Sequence, residues 1–163
     1  MMWEELSPVV EKQLRWLPPP NFLAIQLGSN DLESRSNLGF IKDIEIDILH
    51  LHALMPHTKI VWIDMSQRRY WHTANCGKAI EKTRKRVNFE VRHTVGSIQG
   101  FTIRHVNIKA KEIDLYRRDG THLSDVGLSV CLNNIQGAFE SFLKTGGPSD
   151  FPRLNSGIVR DMA

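Results

Sequence analysis

The chain has 163 residues, 41% of them hydrophobic and 24% charged, with a formal net charge of +3. That balance fits one soluble globular domain with a sizeable core and excludes a disordered or fibrous chain. No window nears the ~18 consecutive apolar residues of a membrane span, and a start carrying Glu4 and Glu5 does not read as a secretion signal.

Trp3, Leu6, Val10, Leu14 and Leu17 recur at three- and four-residue steps, which predicts an amphipathic helix over 3–17. Ser7 before Pro8 suits an N-cap with Pro at the first helical position, and Pro18–Pro20 ends the helix. "FLAIQL", 22–27, reads as a short strand buried on both faces. In "LGFIKDIEIDILHLHALMP", Ile41, Ile44, Ile48, Leu51 and Met55 keep the helical period. Ile44, Ile46 and Ile48 also alternate like a strand, but the length of the run favours a helix, stopped by Pro56.

"KIVWIDM", 59–65, is a second buried strand, rich in β-branched and aromatic residues. Over 74–95, Cys76, Ile80, Val87, Val91 and Val95 share one stripe and the basic residues the other, predicting a helix with one solvated side. "GFTIRHV", 100–106, is the third strand. The last helix begins at an N-cap Ser124, buries Leu128, Cys131, Leu132, Ile135, Phe139 and Phe142, and stops at Gly146 and Gly147. The domain thus spans 1–146, and the aperiodic tail, 147–163, is expected to be disordered.

Helices and strands alternate throughout, so the expected fold is α/β: a parallel sheet between two helical layers. Ligands of such sheets bind beyond the carboxyl ends of the strands. Two polar loops fall there, "GSND" (28–31) after the first strand and "RRDGTHLSDVG" (117–127) after the third.

In "DGTHLS" the spacing of Asp119 and His122 lets a tight turn carry the carboxylate onto one imidazole nitrogen. It would fix the tautomer and support the imidazolium formed when His122 accepts a proton. The alternative is an Asp-Gly turn with a surface histidine. In "GSND", Asn30 offers an NH2 donor to a developing oxyanion, Gly28 lets the backbone turn sharply, and Asp31 suits a loop held through backbone amides. The alternative there is a plain Asx turn.

Taken together, in this order, the two blocks resemble the Gly-x-Asn-Asp and Asp-x-x-His motifs of the SGNH (GDSL-type) hydrolases, over about residues 21–144. "IVWIDMSQRRYW" and "DGTHLSDVG" also look like a group of uncharacterised vertebrate SGNH-like proteins. The resemblance implies a flavodoxin-like α/β/α fold and ester hydrolysis by Ser-His-Asp chemistry. Asn30 would be the oxyanion donor, His122 the general base and Asp119 its orienting acid. It implies no metal or organic cofactor, and a small ester substrate for a complete site.

The family's nucleophile block, a Gly-Asp-Ser-like turn after the first strand, has no counterpart here, for the stretch before "GSND" reads as one amphipathic helix and a Pro-rich turn. No glycine precedes Gly28, so the family's Gly block, which donates a second oxyanion hydrogen bond, is absent too. Ser29 belongs to the Asn block, Ser129 falls inside the last helix and Ser7 starts the first, so none suits an exposed strand-to-helix elbow. The sequence is therefore expected to hold an incomplete domain, lacking the first strand and unable to catalyse alone. A non-catalytic interaction module, as in a mobile-element or domesticated protein, is the other reading. The sheet edge facing the missing strand would be open to self-association.

Other features read blandly. Cys76 and Cys131 are expected as small core residues in a reducing, cytoplasmic setting. His50, His52 and His57 do not share a helix face, so no metal site is expected. Trp62 is read as core and the Arg68–Arg69 pair as solvated. "KTRKRV", 82–87, reads as a solvated helix face, and neither nucleic acid nor membrane is an expected partner.

Overall fold

A single parallel sheet organises the chain in the computed structural model, which describes residues 1–72, 76–144 and 149–152. The elements run α1 (Leu6–Leu14), β1 (Phe22–Ile25), α2 (Asn37–Leu54), β2 (Lys59–Ile63), α3 (Gly77–Ser97), β3 (Phe101–Ile103), α4 (Asp125–Phe142) and β4 (Asp150–Phe151). Short 3-10 turns occupy Trp3–Glu5 and Ile113–Leu115. The strands lie in the order β1-β2-β3-β4, with Leu23 opposite Ile60, Trp62 opposite Thr102 and Ile103 opposite Phe151.

The two-residue period of β2 builds both cores. Ile60 and Trp62 join Ile44, Ile48 and Leu51 of α2 and Val87, Val91 and Val95 of α3 on one face. Val61 and Ile63 point the other way, onto Ala138 and Phe142 of α4. Each Ile, Leu or Val side chain among them contributes roughly 1.5–3 kcal/mol by leaving water. The result is the expected α/β/α sandwich, with helices over both faces of a parallel sheet.

The ambiguous Ile44–Ile46–Ile48 stretch is helical, and burial shows why: Ile44 and Ile48 are inaccessible while Ile46 is exposed. In α3, Arg84 leaves the predicted solvated side. It is buried, grips Glu81 through two bonds of 2.8 and 2.6 Å, and donates to the Met65 carbonyl. Asn88 accepts from Met65 N–H and donates to its carbonyl, both at 3.0 Å. Two polar helix residues thus fasten the chain as it leaves β2, where the backbone would otherwise lack partners.

Several expectations are corrected. The regular helix begins at Leu6 with Glu5 at the N-cap, so Ser7 lies inside it and turns toward Asp47 (3.4 Å). β1 pairs only with β2 and leaves Ala24 exposed, as suits an edge strand rather than one buried on both faces. Trp3 shields one side of that region. It is 1% exposed, lies 6.2 Å from the rings of Phe40 and Trp62, and donates its indole N–H to Asp47 (2.6 Å).

Cys76 is exposed at the N-cap of α3, whereas Cys131 is buried as expected. Leu128 and Leu132 are exposed, because α4 turns Gly127, Cys131, Ala138 and Phe142 inward instead. Asp150–Phe151, in the stretch read as tail, forms a fourth strand beside β3. The predicted stop at Gly146 and Gly147, and most of the tail, lie outside the described residues. No helix among the described residues is long and apolar enough to cross a membrane.

Candidate functional site

Both predicted blocks leave carboxyl ends of strands in the one sheet. After β1, Gly28 is buried with φ at +100°, a conformation glycine adopts without strain, and a Cβ there would sit 3.0 Å from the Phe40 ring. The turn closes with Asp31 N–H on the Gly28 carbonyl at 3.1 Å and presents Asn30 to solvent. Asp31 works differently from expectation. Its buried carboxylate accepts the Trp3 N–H (3.1 and 3.2 Å), tying down the N-terminal segment rather than its own loop. Burial pushes its pKa up, and the Trp3 N–H opposes that rise.

The second block closes as the spacing predicts. His122 Nδ1 lies 2.7 Å from Asp119 Oδ2, while Asp119 Oδ1 accepts the backbone N–H of Thr121 (2.8 Å) and of His122 (2.9 Å). The His122 imidazole first, and then these two N–H groups, hold the Asp119 carboxyl well below the ordinary carboxylate range. An ionised Asp119 accepts from Nδ1–H, which leaves Nε2 as the free, proton-accepting nitrogen. The pair is exposed, 71% for the His122 side chain and 42% for that of Asp119, so its value lies in orientation, not stability.

The link between the blocks is the segment 64–72 after β2, which sequence reasoning missed. The Arg68 guanidinium donates to Asn30 Oδ1 at 2.8 Å, which turns the Asn30 NH2 outward. Arg69 and Tyr70 donate backbone N–H groups to the Gly120 carbonyl at 2.8 and 3.2 Å, and His72 Nε2 lies 3.0 Å from the Asp119 carbonyl. Gly120 has φ at +65°, and a Cβ there would stand 2.2 Å from the Tyr70 ring. One segment therefore orients the Asn30 amide and clamps the turn that pairs Asp119 with His122.

Arg68 is not simply solvated. It is half-buried over the Trp71 ring, 4.9 Å from its centroid. Burial lowers its pKa, with Glu33 and Asp119 acting in the other direction. The signal available in the sequence was the polar, aromatic run "SQRRYW" at the same sheet edge as the two blocks.

Among the described residues, no serine hydroxyl is hydrogen-bonded to His122. Ser124 accepts from Gly127 N–H (3.1 Å) as the N-cap of α4, and Ser129 donates to the Asp125 carbonyl (2.8 Å). His50 faces Glu11 (3.1 Å), and no cluster of three metal-ligating side chains forms among the described residues.

Fold and site define a parallel α/β/α domain with an amide donor and an oriented His–Asp pair at its carboxyl rim. No family model and no curated protein matches the sequence. Solved structures do match the fold. The crystal structure of a GDSL-like lipase from Bacteroides thetaiotaomicron superposes over 76% of this chain with a TM-score of 0.61 at 15% identity. That of a proposed acylhydrolase from Bacteroides fragilis covers 77%, with a TM-score of 0.58 at 16% identity. The alignments span 64% of each neighbour's length. The fold is thus the flavodoxin-like α/β/α sandwich of these neighbours.

Proposed function

We propose that the chain presents the oxyanion-donor and general-base half of an SGNH-type ester-hydrolase site. The 2.7 Å contact between His122 Nδ1 and Asp119, on a turn clamped to the segment that also holds Asn30, carries the reading. His122 Nε2 accepts a hydroxyl proton as the nucleophile attacks an ester carbonyl, Asp119 supports the imidazolium, and the Asn30 NH2 donates to the oxyanion. The family's nucleophile block has no counterpart in this sequence, so the chain on its own is read as inactive toward esters. Reaction of the purified protein with a fluorophosphonate probe, alongside turnover of p-nitrophenyl acetate, tests this. The expected result is an unlabelled protein whose turnover equals that of His122→Ala. A serine labelled stoichiometrically, with turnover abolished by His122→Ala, would show a complete site.

A further inference from the structure

The basic run of α3 does not stand alone in space. Two adjoining cavities, of about 1140 and 1280 Å³, share Gln67, Lys82, Lys85 and Ala110 and form a trough. α3 makes one wall, and the segments after β2 and β3 make the floor and the other wall. More than half of the chain's 21 Lys and Arg residues line it, against three of its 18 Asp and Glu. All three carboxylates are already engaged, Asp64 by Arg92, Glu81 by Arg84 and Asp119 by His122. Lys82, Lys85 and Lys109 are exposed and make no ion pair among the described residues. A chain of net charge +3 has thus gathered a much larger positive charge along one concave surface.

We propose that this trough binds a single-stranded nucleic acid, with phosphates along Lys82, Lys85 and Lys109 and bases against exposed aromatic rings. Lys78, Lys82 and Lys85 stand at helical spacing on one side of α3, a run of about 10 Å that tracks a backbone of repeated charges. Phe89 and Tyr70, each 52% exposed, line the trough beside His93 and Arg69, and exposed aromatic rings of this kind take stacked bases. At the floor, Ser66 Oγ, Arg104 Nε and Asp64 Oδ1 are buried without a hydrogen-bond partner among the described residues. A flat bilayer cannot enter the trough, and a duplex hides its base faces.

The test is fluorescence anisotropy with a fluorescein-labelled 20-nucleotide oligo(U), titrated with the full chain at 50 and 200 mM NaCl. Phosphate contacts to a single strand at Lys78, Lys82, Lys85 and Lys109 predict about a 50-fold loss of affinity across that range. The Lys82→Gln, Lys85→Gln, Lys109→Gln triple variant should lower the salt slope by about two. Changing Lys12, Lys42 and Lys144 to Gln, all exposed and outside the trough, should leave it unchanged. Phe89→Ala should bind about tenfold more weakly, with an unaltered circular dichroism spectrum. Absence of binding at 50 mM salt, equal losses in both triple variants, or tighter binding of a 20-base-pair duplex would each overturn the proposal. So would co-sedimentation with phosphatidylserine vesicles that oligo(U) does not displace.

Discussion

His105 makes stability depend on pH through its burial as a neutral imidazole. It follows β3, is 8% exposed, and packs on α4 with Nε2 3.5 Å from Cys131 Sγ and Nδ1 3.1 Å from Asn134 Nδ2. Neither partner carries a negative charge to balance an imidazolium, and burial holds its pKa down to about 4 from an ordinary 6.5. The folded chain therefore refuses a proton that the unfolded chain accepts. This stability is fully present above pH 6.5 and is lost as pH falls toward 4, where the loss reaches about 3 kcal/mol. Urea denaturation followed by circular dichroism, at pH 7.5 and pH 4, compares the wild type with His105→Gln, which cannot titrate there. Asp31 and Asp64, whose pKa values burial raises, favour folding as pH falls, but they are common to both proteins and cancel. The wild type should lose about 3 kcal/mol more than the variant between the two pH values. Parallel losses would refute the claim that His105 is folded in its neutral form.

Trp3→Ala removes a side chain that is 1% exposed together with its 2.6 Å bond to Asp47. It should cost about 4 kcal/mol in urea denaturation, whereas a loss under about 1 kcal/mol would mean that the N-terminal segment is not docked. Gly120→Ala forces a Cβ into the φ +65° turn and toward Tyr70. It should cost about 1–2 kcal/mol and displace the His122 ring resonances in NMR spectra, while unchanged resonances would contradict the clamp.

The layered fold was legible where the period of a long segment matched its burial, as Ile44, Ile48 and Leu51 of α2 illustrate. The Asp119–His122 contact was legible because it is local, three residues apart and closed by its own turn. What the sequence hid is set by tertiary contacts. Arg84 looks like a surface charge until the Met65 carbonyl and Glu81 satisfy it in the interior. Leu128 and Leu132 fit the apolar period of α4, but the helix turns its small residues, Gly127 and Ala138, to its neighbours. Arg68 reaches Asn30 across 38 positions, and no local pattern encodes that contact. The trough was hidden for the same reason, since only its α3 wall is a contiguous basic run.

In the proposed site, Asp119 holds His122 with Nδ1 protonated and Nε2 free to act as a base. Long-range 1H–15N correlation spectra of the chain labelled with 15N-histidine read this tautomer directly at pH 8, where an ordinary imidazole is neutral. An Nδ1–H imidazole is expected at His122 in the wild type, with the population moved toward Nε2–H in Asp119→Ala. An Nε2–H imidazole in the wild type, or a His122 signal indifferent to that substitution, would contradict it.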